Sequence, residues 1–113
     1  MSAKLRTELR GSAPVFAALG DETRLLLVAR LCGGGPMSIT RLASGTRVTR
    51  QAITKHLHVL GDAGLVRGFR RGRERLWEIE TRRLLQARRS LELISREWDH
   101  ALDRLRAVVE SEA

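Results

Sequence analysis

The sequence predicts an α+β domain, mainly α, and three observations carry that expectation. Apolar residues recur at helical spacing in five segments, the last about thirty residues long. Capping residues and glycines separate those segments at short intervals. Two short runs, 65–70 and 75–80, flank the turn Arg71-Gly72-Arg73-Glu74 and read as a hairpin. With 113 residues, 42% of them hydrophobic but only 4% aromatic, the chain suits one small domain with an aliphatic core.

The elements follow in order. Residues 1–13 read as a basic N-terminal extension, frayed or partly helical, with Gly11 and Ser12 as a break; the domain proper spans 14–113. Pro14 suits the first turn of a short helix carrying Val15, Phe16, Ala18 and Leu19, and Gly20 closes it. Asp21 caps a second helix that runs to about Cys32, with Leu25, Leu26, Val28, Ala29 and Leu31 as its core face. Gly33-Gly34-Gly35-Pro36 reads as a loop. Ser38 caps a short third helix with Ile39, Leu42 and Ala43 inward, and Gly45 ends it. Thr49 caps a fourth helix reaching about Ala63, where Gly64 suits a left-handed terminus. In the second strand Leu76, Glu78 and Glu80 alternate with Trp77 and Ile79. Helix, helix, helix, helix, strand, strand, helix is the order of a winged helix-turn-helix with a two-stranded wing.

The last helix, from about Thr81 to Glu110, has the clearest period. Leu84, Ala87, Leu91, Ile94, Trp98, Ala101, Leu105 and Val108 are spaced 3, 4, 3, 4, 3, 4, 3. That is a heptad seam, the pattern of helices that pack along their length. The stretch from Leu84 to Leu91 reads as packing on its own domain. The remainder, centred on Trp98, exceeds what so short a chain can cover and reads as a long C-terminal dimerisation helix.

The formal net charge is +8 and the pI about 11.4, which favours a polyanionic partner. Between Arg47 and Arg75 eight basic residues face only Asp62 and Glu74, so a net +6 lies in a quarter of the chain. Only Lys4 and Lys55 are lysines among the 21 basic residues, and arginine suits bidentate contacts to phosphate and guanine. On the fourth helix Gln51, Thr54, Lys55 and His58 share the face opposite Ala52, Ile53, Leu57 and Leu60, with Arg50 at its N-terminal edge. Glutamine pairs with adenine, arginine with guanine, and threonine with either base edges or the thymine methyl. The N-terminal end of such a helix approaches bases most closely. Arg50, Gln51 and Thr54 are therefore expected to read bases. Thr49, Lys55 and His58, with the hairpin arginines Arg70, Arg71 and Arg73, are expected to hold phosphate or line the minor groove.

Two motifs carry a family resemblance. Phe16-Ala17-Ala18-Leu19-Gly20-Asp21-Glu22-Thr23-Arg24 resembles the opening of ArsR/SmtB-family repressors. Thr49-Arg50-Gln51-Ala52-Ile53-Thr54-Lys55-His56-Leu57-His58-Val59-Leu60, then Ala63-Gly64-Leu65-Val66, resembles that family's recognition helix and first wing strand. The resemblance runs from about Val15 to Val109. It implies a homodimer joined through the first and last helices, here Phe16, Leu19, Leu91, Ile94, Trp98, Ala101, Leu105 and Val108. It also implies a two-fold symmetric operator and repression by blocking polymerase. The chain departs from the metal-sensing members. Its third helix and approach, 36–42, hold no cysteine pair, and the last helix has Asp99-His100 without a second histidine. No metal site, no cofactor and no evident effector are expected, as in a subgroup lacking recognised metal motifs.

Nothing in the sequence supports catalysis. It has no nucleophile–base motif, and the glycine run lacks the Lys-Ser/Thr of a phosphate-binding loop. His100, Asp103 and Glu110 spread over three turns and read as a solvated face rather than a zinc site. No apolar run approaches the ~20 residues of a membrane span, and the start lacks a secretory apolar stretch, so a cytoplasmic location is expected. The lone Cys32 reads as a small buried hydrophobe rather than a redox sensor. His56 is expected to pack or bond a backbone group, with phosphate as the alternative. Trp77 is expected at the wing–core junction. Three functional readings remain: a sequence-specific homodimeric repressor, a charge-driven architectural DNA-binding protein, and a module whose long helices mainly bind another protein.

Overall fold

The structure, a computed structural model, describes residues 2–112. The elements are α1 (Ala3–Leu19), α2 (Glu22–Gly34), α3 (Ile39–Ala43), α4 (Arg50–Asp62), β1 (Val66–Arg71), β2 (Glu74–Ile79) and α5 (Thr81–Glu112). The fold is the mostly helical winged helix-turn-helix expected, with an antiparallel two-stranded hairpin and a long last helix.

Residues 3–13 are helical, the second of the two expected states, but without the expected break at Gly11 and Ser12. They are the first part of α1, which continues through Gly11, Ser12 and Pro14. The reason lies in α5. Ser12 is fully buried against Ser90, hydroxyl to hydroxyl at 2.5 Å, and Glu8 pairs with Arg89 at 3.1 Å. Small side chains at Ser12, Ala87 and Ser90 let the two helices approach. A helical glycine costs about 1 kcal/mol and an interior proline about 3. That packing, together with burial of Val15 and Ala18, offsets both. Pro14 lies on the exposed side, so the partner it removes is taken from a turn open to water.

Asp21 caps α2 by accepting from Arg24 N at 3.0 Å. The buried face is Leu27, Val28 and Leu31, whereas Leu25 and Leu26 are 51% and 58% exposed and Ala29 is exposed. The expected core face was therefore turned. Five consecutive apolar residues, Leu25 to Ala29, leave the phase of a helix undefined, and packing against β2, α1 and α4 chose it. The helix also consumes Gly33 and Gly34 before Gly35, at φ +73°, ends it. Cys32 is exposed rather than buried.

α3 and α4 begin on the expected caps. Ser38 accepts from Arg41 N at 3.2 Å and Thr49 from Ala52 N at 3.1 Å. Ile53, Leu57 and Leu60, at i, i+4 and i+7, are buried to 1% or less. Gly64 takes φ +78°, its N–H donates to Gly61 O at 2.9 Å, and Leu65 N donates to Leu60 O at 2.9 Å. These two bonds form a Schellman end, with Leu60 and Leu65 buried across it. Gly64→Ala should destabilise the fold by about 1 kcal/mol, through the positive φ and a Cβ only 3.0 Å from Arg83 Cγ. Urea titration would show a lowered midpoint at unchanged slope, and an unchanged midpoint would contradict this account.

The hairpin is tighter than the expected 65–80 with its four-residue turn. Arg71 pairs with Glu74, so only Gly72 and Arg73 form the loop. Gly72 at φ +64° supplies the one left-handed residue that such a two-residue turn needs at its first position. Leu76 and Trp77 are both buried on opposite faces, so the strand does not alternate cleanly. A further bridge ties the wing to the entry of α3: Met37 N donates to Trp77 O at 3.0 Å, and Trp77 N to Met37 O at 2.8 Å. Trp77, 5% exposed, fills the wing–core junction as expected. α5 then packs on α1 through Ala87 and Ser90, and no described residue beyond Ser90 is buried.

Candidate nucleic-acid interface

Two surfaces remain when the core is accounted for, one basic and one apolar. The basic surface is built on α4. Thr49, Arg50, Gln51, Lys55 and His58 are exposed and Thr54 is half-buried, so the expected polar face lies outward. Two of these side chains also serve the helix itself. Thr49 Oγ1 accepts the cap bond, and Thr54 Oγ1 donates to Arg50 O at 2.9 Å. Each hydroxyl keeps acceptor capacity toward a second partner.

The fold brings the wing tip to the start of this helix. Arg50, Arg73 and Arg75 line one cleft of about 480 Å³, with Ser38, Ile39 and Thr40 from the beginning of α3. Three guanidiniums in one cleft, beside a single carboxylate, Glu74, make an anion-attracting surface. Arg75 was not among the expected contacts. Its guanidinium stacks over Trp77, 5.0 Å from the ring centroid, which holds it on the α3 side of the wing. Strand alternation sets it on one face with Trp77, and the register places it opposite Arg70.

The hairpin arginines are not equivalent. Arg67 is hydrogen-bonded to Glu78, with Glu80 at 4.0 Å. The Glu78 hydrogen bond comes first among the causes that raise its pKa further, so its charge is already answered within the strand pair. Arg70, Arg71 and Arg73 are exposed and have no carboxylate within 4.0 Å among the described residues. Arg71 lies over Phe69 at 5.7 Å. His58 tilts toward Trp77, with centroids 6.1 Å apart, so one side of its ring is against the wing root. His56 turns the other way. Its partners are the side chains of Arg24 and Asp21, not the backbone group expected.

The apolar surface runs along α1 and α5. Phe16 and Leu19 are half-buried and, with Leu84, Leu85 and Leu91, line a groove of about 310 Å³. Leu91, Ile94, Trp98, Leu105 and Val108 are between 47% and 65% exposed, and Ala101 is exposed. Leu102 and Val109, also exposed, lie beside this seam and were missed. Trp98, Leu102, Leu105 and Val109 recur at i, i+4, i+7 and i+11, a second stripe that the heptad count passed over. Among the described residues no helix is long and apolar enough to cross a membrane.

A family model described as a helix-turn-helix domain matches residues 19–68, from the end of α1 into β1. The HTH-type transcriptional regulator Rv2034 of Mycobacterium tuberculosis is 35% identical over 97 residues, which cover 86% of this chain and 87% of that protein. An ArsR-like transcriptional regulator from Rhodococcus sp. RHA1 superposes with a TM-score of 0.73 at 39% identity, covering 88% of this chain and 93% of that one. The homodimeric winged helix-turn-helix DNA-binding domain Mb0332 of Mycobacterium bovis shares the fold at 23% identity. Its TM-score is 0.62, over 92% of this chain and 93% of that one.

Proposed function

The chain belongs to the ArsR family of helix-turn-helix transcriptional regulators, and from that premise we propose that it is a homodimeric repressor of a two-fold symmetric operator. In this reading α4 enters the major groove, with Arg50, Gln51 and Thr54 toward base edges. Thr49, Lys55, His58, Arg70, Arg71 and Arg73 hold the flanking backbone, and Arg75 joins them from the shared cleft. The observation that carries it is the convergence of Arg50, Arg73 and Arg75 beside an outward polar face on α4. Bound there, the protein excludes polymerase from the same DNA, in the cytoplasm.

A partner copy would cover Phe16 and Leu19 on α1 and the seam Leu91, Ile94, Trp98, Ala101, Leu105 and Val108 on α5. Support comes from the exposure of that seam and from the homodimeric state of the Mb0332 domain, which has the same fold. The reading requires no metal, cofactor or effector.

The test is fluorescence anisotropy on duplexes from upstream of its own gene, and on duplexes selected from a random pool, against scrambled DNA. The reading expects a preference of about 10³ or more, with half-sites about one helical turn apart. If a dimer neutralises about 8 phosphates, log affinity falls against log salt with a slope near −7. Equal affinity for all duplexes with a steep salt slope would replace it with a charge-driven architectural protein. Within the wing, Arg73→Ala removes one contact per protomer, so it should weaken binding to every duplex and reduce the slope by about 2. Arg67→Ala, whose charge is met by Glu78, should leave the slope unchanged. Equal slope changes in the two variants would contradict the assignment of charges.

A further inference from the structure

Two arginines of α2 leave their own helix to reach main-chain carbonyls elsewhere. Arg30 donates to Leu42 O at 2.6 Å and Arg41 O at 3.1 Å, at the C-terminal end of α3. Arg24 donates from Nε to Ala18 O at 2.5 Å, at the C-terminal end of α1, and its Nη1 lies 3.3 Å from His56 Nδ1 on α4. Carbonyls at a helix end lack helical partners and carry partial negative charge, so a guanidinium is well placed there. Arg24 thereby links, through one planar group, the end of α1 and the middle of α4. Lysine has no such fork.

The link needs an acceptor at His56 Nδ1. His56 Nδ1 accepts from Arg24 only when it carries no proton. Asp21 Oδ2 stands 3.9 Å from the same Nδ1 while accepting from Arg24 N. That backbone hydrogen bond, first among the causes, holds the Asp21 carboxyl below the usual carboxylate range, so it stays ionised. The α1–α4 junction is otherwise lined by Pro14, Ala17, Ala18, Val59 and Ala63, with Asp62 exposed at its far end. Lys55, beside His56 on α4, is exposed.

We propose that Arg24 is a positioning residue that, through Ala18 O and His56 Nδ1, sets the angle of α4 against α1 and so the separation of the two reading helices in a dimer. The proposal rests on the repressor reading above. Arg24 points into the junction rather than toward the DNA-facing cleft, so it acts through His56 and not on phosphate.

The test measures wild type, Arg24→Gln, Arg24→Lys, His56→Asn and His56→Leu on a duplex selected from a random pool and on scrambled DNA, across a salt series. Both Arg24 variants should lose about tenfold on the selected duplex, little on scrambled DNA, with an unchanged salt slope and intact dimer. His56→Asn keeps an acceptor near the Nδ1 position and should bind both duplexes as wild type does. Wild-type binding by Arg24→Gln would overturn the proposal. So would equal weakening on both duplexes with a shallower slope. If the Arg24 variants do not fold, His56→Leu decides, since it removes the acceptor and leaves Arg24 on Ala18 O; wild-type binding to the selected duplex by His56→Leu would overturn the proposal. A wild type without preference for any duplex removes the repressor reading and this inference with it. A specific wild type with an indifferent Arg24 removes the inference alone.

Discussion

Ile94→Glu is expected to convert the dimer to a folded monomer and to lower operator affinity by about 10²–10⁴-fold. In the single chain Ile94 is 47% exposed and lies beyond Ser90, the last buried position of α5. A glutamate there remains in water and favours helix, so the monomer fold loses little. In a dimer the same position would be closed by a second copy, and an unpaired buried carboxylate is strongly unfavourable. Two reading helices joined on one scaffold act at high effective concentration on two half-sites. Separated, each has only its own few contacts. Sedimentation velocity and anisotropy on the selected duplex check both halves of this result. A dimer that persists in Ile94→Glu would move the interface off α5. A monomer that still binds at full affinity would remove the need for two-fold symmetry.

Arg50→Ala and Gln51→Ala are each expected to cost about 1–3 kcal/mol on the operator and little on scrambled DNA. Both side chains are exposed at the first turn of α4, where such a helix comes nearest the bases. Gln51 offers both an N–H and a carbonyl to adenine, and Arg50 offers two parallel N–H donors to guanine. Removing either leaves a base edge unpaired in a desolvated interface, which is why the loss is sequence-specific. Lys55→Ala should instead weaken all duplexes alike, because a phosphate contact carries no sequence information. Equal losses on both DNAs for Arg50→Ala and Gln51→Ala would leave α4 a backbone-binding element.

Much of the fold was legible because it is encoded locally. Asp21, Ser38 and Thr49 each accept the backbone bond that a cap must accept, and Gly64 takes the left-handed turn. The face of α4 was legible as well, since Thr54, Lys55, His56 and His58 fall between Ile53, Leu57 and Leu60 and define the phase. Where that separation fails, so does the reading. Leu25 to Ala29 are all apolar, and the face expected to be inward included Leu25 and Leu26, which lie outward.

The sequence by itself determined the order of elements, the N-terminal caps of α2, α3 and α4, the left-handed end of α4 at Gly64, and the outward polar face of α4. Each depends on a hydrogen bond or steric preference satisfied within a few residues. Tertiary structure decided the continuity of α1 through Gly11 and Pro14, because Ser12 meets Ser90 across 78 positions. It decided which wing arginines are free, because Glu78 answers Arg67 only through the strand register. It also placed Arg50 beside Arg73 and Arg75. These are contacts between distant segments, whose free energy appears only when the chain has closed the loops between them.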